Sequence, residues 1–268
     1  MSEPLLQVRG LTVRFEQPRE RLLGPRPVLT AVDAVDLDVA AGQAVGIVGE
    51  SGSGKSTLAR AVLGLVEPQS GTVEWRGRPV RRSDPESLRA MRREMQIVFQ
   101  DPVGSLDPRM TVGESVAEAL DALEGPRPRA EAADRVAAAL EEVGLDAALG
   151  HRYPHELSGG QCQRAAIARA IVARPRLLLC DEAVSALDVS VQAQIVNLLA
   201  GLQRRHGLAL LFISHNLAVV RHLCDEVVVL CKGQVVERAP REELFAAPKH
   251  PYTRALLAAV PRPEPGHR

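Results

Sequence analysis

The run Gly49-Glu50-Ser51-Gly52-Ser53-Gly54-Lys55-Ser56-Thr57 restricts the fold more than any other feature of this chain. It follows an apolar stretch, Ala44 to Val48, and precedes one with helical spacing, Leu58 to Val66. The pattern G-x-x-x-x-G-K-[ST] needs that strand–loop–helix setting, because its glycines let backbone N–H groups close around phosphates at a helix N-terminus. A chain of this length matches it by chance about once in a hundred. It implies a nucleotide site in which Lys55 bridges the β- and γ-phosphates. Ser56 is expected on a magnesium ion, with the amides of residues 52–57 around the phosphate chain.

A second strand-like run, Leu177 to Cys180, delivers Asp181 and Glu182 at its carboxyl end, where open α/β sheets place their ligands. Asp181 is expected to hold magnesium through water, and Glu182 to act as the general base on the water attacking the γ-phosphate. Between the two sites lies Leu157-Ser158-Gly159-Gly160-Gln161, a rarer motif than the phosphate loop. Ser158 can act as an N-cap there, Gly159 and Gly160 permit close backbone approach, and the Ala-rich segment Gln161 to Ala173 would aim its positive dipole end at an anion.

Around these motifs, Leu5 to Phe15 and Val28 to Val39 alternate as half-buried antiparallel strands do, and Thr72 to Trp75 adds a short strand after the turn Gln69-Ser70-Gly71. Glu16 to Pro27, rich in Arg and Pro, reads as an exposed loop. Met95 to Phe99 is a strand. Val112 to Leu123 and Ala130 to Val143 are helices, the second closed by Gly144. Strands at Leu208 to Ile213, Val227 to Cys231 and Gln234 to Glu237 alternate with helices at Val189 to Arg205 and Leu217 to Cys224. That alternation predicts an α/β fold with a mostly parallel sheet, a small antiparallel β lobe and an inserted α-helical region. Phe15 closes the first strand in a chain with only 3% aromatics. It is a candidate to stack on adenine, or equally a core residue of the small lobe.

With these motifs in this order, the chain resembles ATP-binding cassette proteins, whose core is RecA-like. The resemblance covers about Leu5 to Pro261. It implies one cassette domain, with the β lobe and nucleotide core at about 5–100 and 174–240, a helical subdomain at about 101–173, and a tail at about 241–268. It also implies that Ser158, Gly159, Gly160 and Gln161 contact ATP held by a second subunit. By the same resemblance Gln100 is the Q-loop residue contacting magnesium and water. His215 is the switch that reads the γ-phosphate, and Ser185-Ala186-Leu187-Asp188 is the loop at the dimer seam. Four stretches resemble, more narrowly, the ATPase subunits of bacterial oligopeptide and dipeptide importers. They are Phe99 to Pro102 with Ser105 to Thr111, Arg152 to Arg164, Val184 to Ser190, and His250 to Leu256. Such importers imply ATP and Mg2+, separate permease subunits docked on residues 101–150, a paralogous second ATPase making a heterodimer, and a solute-binding protein. They also imply a place at the cytoplasmic face of the inner membrane. Importers of nickel or glutathione use similar ATPases, and soluble cassette ATPases form a third alternative.

Two departures stand out: Ala183 replaces the usual Pro after the catalytic Glu, freeing a backbone dihedral, and Asp107 replaces a usual Asn. The tail ends at Pro-Gly-His-Arg, so no iron–sulfur cluster is expected. Charge supports no nucleic-acid role, since 33 basic residues balance 33 acidic ones. All but Lys55, Lys232 and Lys249 of the basic residues are Arg, as a GC-rich genome would produce. Met1 to Gly10 lacks the apolar core of a signal peptide, and no apolar run approaches the ~18–20 residues a spanning helix needs. The cysteines Cys162, Cys180, Cys224 and Cys231 have no metal-binding spacing and read as free buried thiols.

Overall fold

A computed structural model of the chain describes residues 4–17 and 27–259. Most of the Arg- and Pro-rich stretch after Glu16, the first three residues, and the tail beyond residue 259 lie outside the described residues. Strands β1 (Pro4–Glu16) and β2 (Val28–Ala40) pair antiparallel, and β1 carries β4 (Ser70–Trp75) and then β5 (Arg78–Pro79) on its other side. A second sheet is built from β3 (Ala44–Val48), β6 (Met95–Val98), β7 (Leu177–Asp181), β8 (Ala209–Ile213), β9 (Glu226–Cys231) and β10 (Gln234–Pro240). Its order is β10-β9-β3-β8-β7-β6, parallel except for the antiparallel edge strand β10.

Apart from Asp181 at the end of β7 and Glu226 at the start of β9, the central strands β3, β7, β8 and β9 carry no charged residue, because the sheet is covered on both faces. In β7, Leu178 and Cys180 enter one core, while Leu177 and Leu179 enter the other. The first core also takes residues of α3 (Val112–Glu124), α4 (Arg129–Glu142), α5 (Gly159–Ile171), α6 (Val189–His206) and α7 (Leu217–Leu223). The second takes the antiparallel lobe, α1 (Lys55–Val62) and α2 (Pro85–Glu94). Gly46 lies where a Cβ would stand 2.7 Å from Val220 Cγ1, so the glycine lets α7 close on β3.

Most expected elements appear within a residue or two of their sequence bounds. Ser70 and Gly71 are in β4 rather than a turn, because Ser70 pairs with Thr12 of β1. The helix α2 was not anticipated, although Asp84 caps it by accepting from the Glu86 and Ser87 amides, with Pro85 in its first turn. Two short helices, α8 (Arg241–Ala246) and α9 (Pro251–Ala258), follow β10. Among the described residues, no helix is long and apolar enough to cross a membrane.

Candidate active site

Parallel register brings the candidate residues to one edge. Val98 of β6 is level with Cys180 of β7, so the chain leaves both strands at the same edge, with Gln100 and Glu182 each two residues beyond that pair. Asp181 is level with Ile213 of β8, and Ile213 with Ile47 of β3. Glu182, Ser214 and Val48 are therefore next in line, with His215 and Gly49 one residue beyond. Strands far apart in sequence thus empty their C-terminal ends into one crevice, as open parallel sheets do.

The phosphate loop takes a conformation that its glycines permit. Gly54 caps α1 with φ 105°, and a Cβ there would meet the Ala31 carbonyl oxygen at 2.1 Å. Ser53 O accepts from the Gly233 amide at 2.9 Å, so the β9–β10 turn braces the loop. The Lys55 ammonium is buried and donates to the carbonyls of Gly49 (2.9 Å) and Glu50 (2.8 Å). Burial lowers its pKa, opposed by the charges of Glu182 and Asp181. Ser56 Oγ donates to Asp181 Oδ1 at 2.9 Å across the crevice. Burial pushes the Asp181 carboxyl up, the Ser56 hydrogen bond opposes this, and the Glu182 charge adds to it. A buried carboxylate and a hydroxyl side by side form an oxygen donor pair of the kind a hard divalent cation takes.

Glu182 stands at φ 50°, an uncommon conformation for a residue with a side chain. Its amide donates to Ile213 O at 3.0 Å, and its carbonyl accepts from the Ser185 amide and hydroxyl at 3.0 and 2.9 Å. Those bonds brace the backbone beside Ala183, which is fully buried. His215 Nδ1 lies 3.3 Å from Glu182 Oε2, so two residues separated in sequence meet at the crevice mouth. Gln100 is exposed beyond the end of β6.

Ser158 caps α5 in a reciprocal box: its Oγ accepts from the Gln161 amide at 3.3 Å, and Gln161 Oε1 accepts from the Ser158 amide at 2.9 Å. Ser158 and Gly159 are exposed. Asp188 caps α6, accepting from the Val191 amide at 3.0 Å and the Ser190 hydroxyl at 2.7 Å. A Cβ on Gly160 would stand 2.8 Å from Val191 Cγ1, so the start of α6 packs directly against the start of α5.

Phe15 is paired with Leu29 across β1 and β2 and is 41% exposed. That corrects the alternative that it fills the lobe's core and leaves its ring accessible. Cys162, Cys180 and Cys224 are buried, and Cys231 is partly exposed. Sequence reasoning singled out His250 to Leu256 but gave no role to Tyr252, whose hydroxyl oxygen accepts from the Glu50 amide at 3.0 Å. No local pattern marks a contact between residues at opposite ends of the chain.

Residues 32–185 match the family model for ABC transporters, and residues 236–268 match the oligopeptide/dipeptide transporter C-terminal region. The oligopeptide transport ATP-binding protein OppF of Escherichia coli is 50% identical over 263 residues, covering 97% of this chain and 79% of that protein. A putative peptide import ATP-binding protein of Brucella ovis is 50% identical over 265 residues, covering 99% of this chain and 81% of that one. Among solved structures, cbiO1 from Clostridium perfringens, part of the ABC transporter complex cbiONQ, superposes with a TM-score of 0.77. It is 28% identical and the match covers 92% of each chain. The cassette MJ0796, a dimer bound to ADP and Pi, also gives 0.77 at 28% identity, over 88% of this chain and 98% of that one. With the nucleotide loop, the carboxylate pair and the α5 motif on a shared fold, this chain belongs to the ABC transporter family.

Proposed function

We propose that this chain is the ATP-hydrolysing subunit of a bacterial peptide importer, working on the cytoplasmic face of the inner membrane. The observation that carries the reading is the convergence of Lys55, Ser56, Gln100, Asp181, Glu182 and His215 on one sheet edge, in a chain that ends in a peptide-transporter C-terminal region. In this mechanism the loop amides and Lys55 hold the phosphates of ATP. Glu182 takes the proton from the attacking water, and His215, 3.3 Å away, orients that carboxylate and contacts the γ-phosphate. Magnesium is the fitting cation for Ser56, Asp181 and Gln100, and supplies neutralisation of charge on the phosphate oxygens. Phe15 stacks on the adenine.

The exposed Ser158 and Gly159, with the half-buried Gly160 and Gln161 behind them, serve ATP on a second cassette, across a seam that also includes Asp188. A paralogous cassette and permease subunits fed by a solute-binding protein complete this importer, and the likeness to ATP-binding proteins of oligopeptide transport and peptide import supports its substrate class. The groove between α3 and α4, about 870 Å³ and lined by Ala117, Ala133, Val136 and Ala137, offers the permease's cytoplasmic helices an apolar seat.

The test is reconstitution with the neighbouring permease genes and a paralogous cassette. Peptide-stimulated ATPase and uptake are expected, and Ser158→Arg should abolish hydrolysis only at the partner's site. Uptake of nickel or glutathione in place of peptides would overturn the substrate. Full activity without any paralogue would replace the heterodimer by a homodimer.

A further inference from the structure

The segment after β10 is tied to the nucleotide loop by a chain of specific hydrogen bonds. The Glu237 carboxylate accepts from the backbone amides of Lys249 (2.8 Å) and His250 (2.9 Å), fixing the entry to α9. His250 Nδ1 then accepts from the Tyr252 amide at 3.2 Å, capping that helix. Thr253, fully buried, seats its first turn against the core. The Tyr252 ring packs partly buried on the same core, and its oxygen meets the Glu50 amide at 3.0 Å.

That amide belongs to the peptide unit joining Gly49 to Glu50. The carbonyl of the same unit, Gly49 O, accepts from the Lys55 ammonium at 2.9 Å. One peptide plane is therefore held at both ends, by Tyr252 at its N–H and by Lys55 at its C=O. Rotation of the plane would release both partners together. On its other side Gly49 packs closely on β9, since a Cβ there would stand 2.2 Å from Leu230 O. Glu50 itself is exposed, so without the tyrosine oxygen its amide would face water.

We propose that Tyr252 is a positioning residue of the nucleotide site: through the Gly49–Glu50 peptide it sets where Lys55 presents its ammonium to phosphate. The C-terminal segment thereby becomes part of the ATP site. The inference rests on the reading of this loop as the ATP site and adds to it a residue outside the nucleotide-binding motifs.

Tyr252→Phe in the full chain keeps the ring and removes only the hydroxyl, which accepts from the Glu50 amide and also meets Cys231. The Glu50 amide should then exchange hydrogen faster in nucleotide-free protein, while the thermal midpoint stays near that of wild type. Affinity for ATP, read by titration with a fluorescent analogue, should fall about two- to tenfold, as expected for one hydrogen bond. In the reconstituted complex KM for ATP should rise with kcat little changed. Glu237→Gln, which weakens the anchor of residues 249 and 250, should shift exchange and affinity the same way by less. Unchanged Glu50 exchange or unchanged ATP affinity in folded Tyr252→Phe overturns the proposal. Failure of the wild-type chain to bind ATP would instead remove the ATP-site reading on which it rests.

Discussion

Gly54 and Gly52 belong to the same loop and look equivalent in sequence, yet the structure separates what an alanine at each would do. Gly54 has φ 105°, and its Cβ would sit 2.1 Å from Ala31 O. Carbon and oxygen do not ordinarily approach closer than 3.0 Å, so one of the two must move by about 1 Å. Ala31 cannot yield easily, because β2 is paired along its length with β1 and the Asp33 amide donates to Gly233 O at 2.9 Å. The loop must move instead. A left-handed backbone costs an alanine about 1–2 kcal/mol, and the displaced loop adds about 1–3 kcal/mol of strain. Together, at about 1.4 kcal/mol per tenfold, these weaken ATP binding by roughly one and a half to three and a half orders of magnitude. Gly52, at φ 79°, has nothing within 4 Å of its Cβ position. Gly52→Ala thus carries only the conformational term, about tenfold. Nucleotide titration of both purified variants, with circular dichroism to establish folding, measures the difference. Equal affinities for the two, or Gly54→Ala within about fivefold of wild type, would refute the clash argument.

Three further outcomes are expected. Glu182→Gln should bind ATP normally while hydrolysis in the complete complex falls about 10²–10⁴-fold, trapping a dimer, and wild-type turnover would remove the general-base role. Asp181→Asn should raise the thermal midpoint of nucleotide-free protein at pH 7 but not near pH 3. Burial raises the folded carboxyl's pKa, so stability is present when Asp181 is protonated and is lost as pH climbs from the unfolded value of 3.8 through the raised folded one. A variant less stable than wild type at pH 7 contradicts this. Cys180 is fully buried and its thiol is pushed up to about 12, so iodoacetamide at pH 8 should leave it unmodified until the chain unfolds; rapid labelling in the native state would be inconsistent with that burial.

The antiparallel lobe, the parallel strands and the helices at 112–124 and 189–206 were legible because periodicity and capping are local. Each depends on residues a few positions apart, and a β7 buried on both faces announces itself as an unbroken apolar run. The start of α2 was equally local, an Asp84-Pro85 cap, but its apolar face is only Leu88 and Met91 among charged residues, too short a pattern to stand out. Phosphate loop, carboxylate pair and α5 cap were readable for the same reason: Gly52 and Gly54 take a positive φ that favours glycine, Asp181 and Glu182 directly follow an apolar run, and Ser158 pairs with Gln161 three residues on. Tertiary structure alone decided how these pieces meet. Strand register brought the residues after β6, β7 and β8 to one edge, with His215 3.3 Å from Glu182, and the passage of β2 behind the loop left no room for a Cβ at Gly54 where Gly52 has room. It also carried Tyr252 across 202 positions of sequence onto the Glu50 amide. Backbone preferences act within a turn or two of the chain, whereas contacts between distant segments depend on how whole elements pack, which no local pattern encodes.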